Sequence, residues 1–146
     1  MWNTDRRFGF TLIEMLAVML IVALIASLVA TVTPGTGRGQ LKALALEVAA
    51  LLRRERLAAI LSGRERHVAL DDRRRILVGD AGESVAVPRD VVVDVLGVNE
   101  LWSGHLAVVR FDPDGASSGA VLRLSREGAQ YEVRVNWYTG GVAVAP

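Results

Sequence analysis

The sequence predicts an α+β protein: a long N-terminal hydrophobic helix, then a small antiparallel β-sandwich domain. Three observations carry this. Between Phe10 and Val32 the chain holds a single charge, Glu14. From Leu41 to about Leu61 apolar residues recur at helical spacing. From Arg66 onward the pattern changes to short β-branched runs separated by Gly, Asp and Pro. A length of 146 residues is room for one domain and one added segment.

Composition narrows the function classes. Hydrophobic residues make up 51% and mean hydropathy is +0.33, an excess that lies mostly between Phe10 and Val32. The 17 basic and 16 acidic residues give a net charge of +1. That balance fits neither a highly charged disordered chain nor a strongly basic nucleic-acid binder. The chain has no cysteine, so it holds no disulfide framework, thiolate metal site or cysteine nucleophile.

Residues 1–9 are polar and include Asp5, Arg6 and Arg7. The 18 residues of 15–32 carry no charge and are broken only by Ser27 and Thr31. Counted from Phe10, a helix at roughly 1.5 Å per residue spans about 35 Å, enough for a ~30 Å hydrocarbon core. A secretory signal peptide has a shorter apolar core and a small-residue cleavage site. Here the run is longer and ends in Ala30-Thr31-Val32-Thr33-Pro34. A plain membrane anchor fits the length but leaves Glu14 unexplained, since a carboxylate in such a helix costs roughly 2.5–3.5 kcal/mol. A buried core helix would need a larger domain to cover it.

The order Arg6-Arg7-Phe8-Gly9-Phe10-Thr11-Leu12-Ile13-Glu14-Met15-Leu16 resembles the leader junction of type IV pilins and type II secretion pseudopilins. The one departure is Phe8, where that family carries a small, polar or charged residue. The resemblance implies that residues 1–9 are a leader and that a prepilin peptidase cuts between Gly9 and Phe10. It implies that Phe10 becomes N-methylated and that Glu14, the fifth mature residue, acts in assembly. Residues 10–33 are then a transmembrane helix held by lipid before assembly and packed in a filament core afterwards. Arg6 and Arg7 keep the leader cytoplasmic, and the remainder is periplasmic. In a filament, Glu14 can meet the N-terminal amine of a neighbour, which relieves the unpaired charge.

Residues 34–40, Pro34-Gly35-Thr36-Gly37-Arg38-Gly39-Gln40, read as a flexible linker that breaks the helix. Their Gly-x-Gly-x-Gly spacing lacks the preceding strand and the lysine-serine of a phosphate loop. Residues 41–63 read as an amphipathic helix ended by Ser62-Gly63. Leu41, Leu44, Val48, Leu51 and Leu52 share one face, and Leu46, Leu57 and Ile60 another. One face can cover a sheet while the other meets a neighbouring subunit. Arg53, Arg54 and Arg56, with Glu55, read as a solvated face, with a binding stripe as the other reading.

Residues 64–146 read as the β domain, with strands expected near 67–70, 75–78, 84–87, 91–95, 106–111, 120–125, 131–137 and 142–144. Turns are expected at Asp71-Asp72, Gly79-Asp80, Pro113-Asp114-Gly115, Glu127-Gly128 and Gly140-Gly141. Alternation is plain from Val121 to Arg126 and from Tyr131 to Trp137, which fits antiparallel sheets with one covered face. The stretch Val109-Arg110-Phe111-Asp112-Pro113-Asp114-Gly115-Ala116-Ser117-Ser118-Gly119 and the strands after it resemble the minor pseudopilin H family of the general secretion pathway. Minor pilins of the FimT/FimU kind share that domain.

No catalytic constellation emerges, and no enzyme activity or cofactor is expected. His67 and His105 have no ligand spacing around them and read as surface residues. Asp112-x-Asp114-Gly115 faintly matches a calcium loop, but Ala116 and Arg123 stand where ligands are required, so it reads as a turn. Ser117 and Ser118 lack a paired base. Trp102 and Trp137 read as core or sheet-edge aromatics. Residues 38–75 carry net +5 and residues 76–146 net −4. An acidic β half disfavours phosphate contacts, so no nucleic-acid partner is expected.

The resemblance implies a minor pseudopilin, a structural subunit of a type II secretion pseudopilus anchored in the inner membrane. Its partners would be the major pseudopilin, the tip subunits I, J and K, prepilin peptidase and the inner-membrane assembly platform. The alternative is a minor type IV pilin of a pilus or DNA-uptake machine. A third possibility, a periplasmic binding domain on a plain anchor, has no use for the Gly9-Phe10 junction.

Overall fold

The computed structural model describes residues 11–32, 37–96, 101–102 and 105–146. The chain divides into two compact units, Met1–Pro34 and Gly35–Pro146.

The first unit contains α1 (Leu12–Val32). Its start is set by Thr11. The Thr11 carbonyl accepts from Glu14 N (3.1 Å) and Met15 N (3.2 Å), and Thr11 Oγ1 also accepts from Glu14 N (3.3 Å). Thr11 therefore caps donors that a helix N-terminus leaves unsatisfied. Every side chain from residue 12 to 27 is exposed, and the helix has no polar face. A helix apolar all round is one that a membrane or other chains must cover. Among the described residues no helix is long and apolar enough to cross a membrane.

The second unit opens with α2 (Gly37–Ser62), followed by nine described strands. These are β1 (Arg66–Asp71), β2 (Ile76–Gly79), β3 (Ser84–Ala86), β4 (Val92–Leu96), β5 (Leu101–Trp102), β6 (His105–Phe111), β7 (Ala120–Arg126), β8 (Ala129–Val135) and β9 (Val142–Ala145). They form two antiparallel sheets, β3-β2-β1-β6-β5 and β4-β7-β8-β9. The sequence expectation of eight strands missed only β5, a two-residue strand paired with the start of β6.

Two boundaries differ from the sequence reading. Residues 37–40, expected as linker, form the first turn of α2. Two glycines there disfavour helix by about 1 kcal/mol each, but tertiary contacts hold the turn. Arg126 Nη1 donates to Gln40 Oε1 (2.7 Å), and Gly37 packs beside Arg126 and Glu127. The second difference is Trp137. It lies beyond β8 in the turn before β9 and is 68% exposed, rather than in a core or sheet.

The core is one continuous cluster. Leu41, Leu44, Val48 and Leu52 of α2 meet Val68, Leu77 and Val108 of the five-stranded sheet and Leu122, Leu124 and Val133 of the four-stranded one. In the four-stranded sheet Leu122 faces Val133 and Leu124 faces Tyr131 across the ladder. The β7–β8 hairpin closes through Glu127 (φ 47°) and Gly128 (φ 79°), the positive-φ pair that matches strand twist.

Candidate functional site

Gly9 and Phe10, the expected leader junction, lie outside the described residues. Glu14 sits in the first turn of α1 with an exposed carboxylate, beside the helix end whose dipole favours negative charge. Thr11 begins the capped helix one residue after Phe10, so the chain becomes helical directly after the junction.

Of charged residues 53–56 of α2, Arg53 and Arg54 are exposed as a solvated face would be, whereas Arg56 is half-buried and Glu55 is buried. Arg53 Nη2 donates to the Val142 carbonyl of β9 (3.0 Å). Arg54 pairs with Glu83 before β3 (2.6 Å), and Arg56 Nε donates to the Gly115 carbonyl (3.0 Å). The helix lies on both sheets, so Arg53 reaches a carbonyl at the start of β9 and Arg56 one in the turn after β6. Each of the three guanidinium groups thus has one partner within the domain.

Glu55 departs furthest from the sequence reading. It is 1% exposed, and its Oε1 accepts from Ala81 N (3.1 Å). Its Oε2 is buried without a hydrogen-bond partner among the described residues. Burial raises its pKa above the ordinary carboxylate value; the Ala81 N–H opposes this, Asp80 and Glu83 reinforce it, and Arg66 opposes it. The carboxyl lies against the backbone of Gly79, where any Cβ would collide with Glu55 Oε1. A sequence signal existed. Glu55 continues the buried stripe Val48, Leu52, Ala59 at spacings of four, three and four.

The histidines are half-buried rather than on the surface. The His67 ring lies 3.3 Å from Asp80 Oδ2, which also accepts from His67 N (2.7 Å). His105 Nδ1 is 3.9 Å from the buried Asp71 carboxylate. Asp71 is held below the usual carboxylate range, first by the Arg74 backbone N–H. Asp114 does form a turn, with Oδ1 accepting from Ala116 N (2.9 Å). Among the described residues no group of three or more His, Asp or Glu could hold a metal. On the four-stranded sheet, Glu132 accepts from both Arg134 (2.6 Å) and Arg123 (3.1 Å), and these hydrogen bonds lower its pKa.

An apolar helix with one early glutamate, joined to a helix-covered two-sheet domain, defines a pilin-like protein. The family "Prokaryotic N-terminal methylation motif" matches residues 4–30, which include Gly9, Phe10 and Glu14. Two solved folds are similar. The minor pseudopilin EpsH from the type 2 secretion system of Vibrio cholerae has TM-score 0.56 at 17% identity, over 71% of this chain and 94% of its own. The type IV minor pilin FimU of Pseudomonas aeruginosa has TM-score 0.55 at 16% identity, over 77% and 93%. Type II secretion system protein H of Xanthomonas campestris pv. campestris is 31% identical over 94% of this chain and 83% of its own length. The chain belongs to the type II secretion system protein H family.

Two expected outcomes test the Glu55 site. Gly79→Ala should destabilise the full chain in detergent by about 2 kcal/mol or more in urea unfolding, because the new methyl displaces a buried carboxyl. Adding Glu55→Ala should recover part of that loss, whereas independent effects would add. For pH, a carboxyl whose folded pKa is raised supports the fold fully below its unfolded pKa of about 4.5. That support is lost as pH rises through the folded value. Glu55→Gln should therefore gain on the parent, by about 1 kcal/mol or more at pH ~7, with the difference shrinking toward pH ~4. A pH-independent difference would contradict this.

Proposed function

We propose that this chain is a minor pseudopilin of a type II secretion system, a structural subunit of the periplasmic pseudopilus and not an enzyme. A prepilin peptidase cuts after Gly9 and methylates Phe10. Residues 10–33 anchor the protein once through the inner membrane, with the domain from residue 41 onward in the periplasm. An inner-membrane assembly platform then moves it into a filament with the major pseudopilin and the minor subunits I, J and K. No cofactor takes part.

The observation that carries this reading is Glu14, one charge on an otherwise apolar helix that starts directly after Gly9-Phe10. An unpaired carboxylate there is costly in lipid and useful in a filament, where the amine of a neighbouring chain can pair with it. The minor type IV pilin alternative has a comparable fold likeness. The relative that shares sequence along 94% of the chain is a secretion protein, which favours the first reading. The acidic β half and the engaged Arg53, Arg54 and Arg56 give little support to a phosphate-binding surface.

Intact mass of the membrane-extracted protein should show loss of residues 1–9 and gain of one methyl group. Gly9→Val should leave the longer precursor, and a native protein that keeps Met1 would overturn the processing step. Glu14→Ala should leave cleavage intact but reduce secretion at native expression roughly tenfold, which is about 1.4 kcal/mol of lost pairing. Normal secretion by that variant would remove the ion-pair argument.

A further inference from the structure

Turn 136–141, between β8 and β9, carries Trp137 at 68% and Tyr138 at 73% exposure, their rings edge to face with centroids 5.7 Å apart. We propose that this turn is a preformed docking tip for an arginine- or lysine-bearing loop of a neighbouring pseudopilin. The proposal rests on the assembly role above and names the chemistry of one contact within it.

The turn is rigid at its base. Asn136 Oδ1 accepts from Tyr138 N (2.9 Å) and Thr139 N (3.0 Å), and Gly140 N donates to the Asn136 carbonyl (2.8 Å). Ser117 Oγ donates to the same carbonyl (3.0 Å), and Ser117 N donates to the Trp137 carbonyl (2.9 Å). Gly140 has φ 61°, and a Cβ there would strike the Gly115 carbonyl that Arg56 of α2 holds. The two rings are thus mounted, through one glycine contact, on the main helix of the domain. Rigid exposed Trp and Tyr lose little entropy on binding and are the residues that dominate interface energies.

Charge indicates the occupant. Ring faces attract cations. In the adjoining loop Asp112 is paired with Arg110 (3.3 Å), while exposed Asp114 has no ion pair among the described residues. An arginine or lysine can lie on a ring and pair with Asp114.

The test is photo-cross-linking in cells that carry the secretion machinery, with the full-length chain bearing a photoreactive residue at Tyr138 or, as control, at Leu16 of α1. The expected result is an adduct at 138 whose cross-linked peptide belongs to another pseudopilin and contains Arg or Lys. Trp137→Ala should cut its yield about tenfold, Trp137→Phe should largely keep it, and Asp114→Asn should lower it about threefold. Asp114→Asn retains the acceptor for Ala116 N, so it leaves the turn folded. If Leu16 cross-links to other pseudopilins while 138 gives lipid, a segment without basic residues, or nothing, the tip proposal fails alone. If neither position cross-links to a pseudopilin, the assembly role fails and the tip with it.

Discussion

Helix α2 meets both sheets with a single apolar stripe, and the placement of that stripe governs the charged residues that follow it. Leu41, Leu44, Val48 and Leu52 seal against strands of both sheets, so the helix joins two layers into one core. A helix laid across two sheets brings residues 53–56 within reach of both. Arg53 donates to a carbonyl at the start of β9 in the four-stranded sheet, while Arg56 and Arg54 reach the loop after β6 and Glu83 before β3, both on the five-stranded one. Being exposed, the Arg54–Glu83 pair contributes little by itself. The Arg56 bond matters more, because Gly115 is buried and an unpaired buried carbonyl costs about 1–3 kcal/mol.

Glu55 shows what this geometry demands in return. Its position continues the buried stripe, so the helix carries a carboxyl into the interface whatever its polarity. The β2–β3 turn makes room by placing Gly79 against the carboxyl and offering the Ala81 N–H to one oxygen. The second oxygen has no hydrogen-bond partner among the described residues, and burial pushes the pKa of the carboxyl up, toward the neutral acid. The excess of positive charge over residues 38–75 and of negative charge beyond is thus partly an internal arrangement. Arg54 of the basic segment pairs with Glu83 of the acidic one, while Arg53 and Arg56 bond its carbonyls.

The periodic parts of the molecule were legible in the sequence for simple reasons. The apolar run of α1, the stripe of α2 and the alternation in β7 and β8 are one-dimensional patterns that local geometry produces. The parts that were not legible depend on contacts distant in the chain. Residues 37–40 become helix because Arg126, 86 residues away from Gln40, holds them. Strand β5 is two residues long, too short to show any alternation. Trp137 sits at the end of an alternating run and reads as strand, but Asn136 bonds the next two amides and turns the chain. The histidines read as surface because their carboxylates, Asp80 and Asp71, lie 13 and 34 positions away. At the candidate site, the methylation motif of residues 4–30 was legible because it is read as a local string, whereas Glu55 required knowing which face α2 buries.

The two helices handle the same residue type in opposite ways, and the contrast separates their roles. Glu55 lies on a stripe that the domain itself covers, with a glycine and a backbone amide beside it, and burial shifts its balance toward the neutral acid. Glu14 lies on a helix with no covered face, where every side chain from 12 to 27 is exposed. An apolar helix of that kind gains nothing from water and has no stripe that selects one packing partner, so its order has to come from lipid or from equivalent helices around it. Lipid offers no partner to a carboxylate, whereas in the assembly proposed above a neighbouring chain cut after Gly9 would begin at a free amine and offer one. Under that proposal the single charge would penalise the lipid state and favour the packed one, giving direction to a transfer that the apolar residues alone, equally satisfied in both surroundings, would leave undecided.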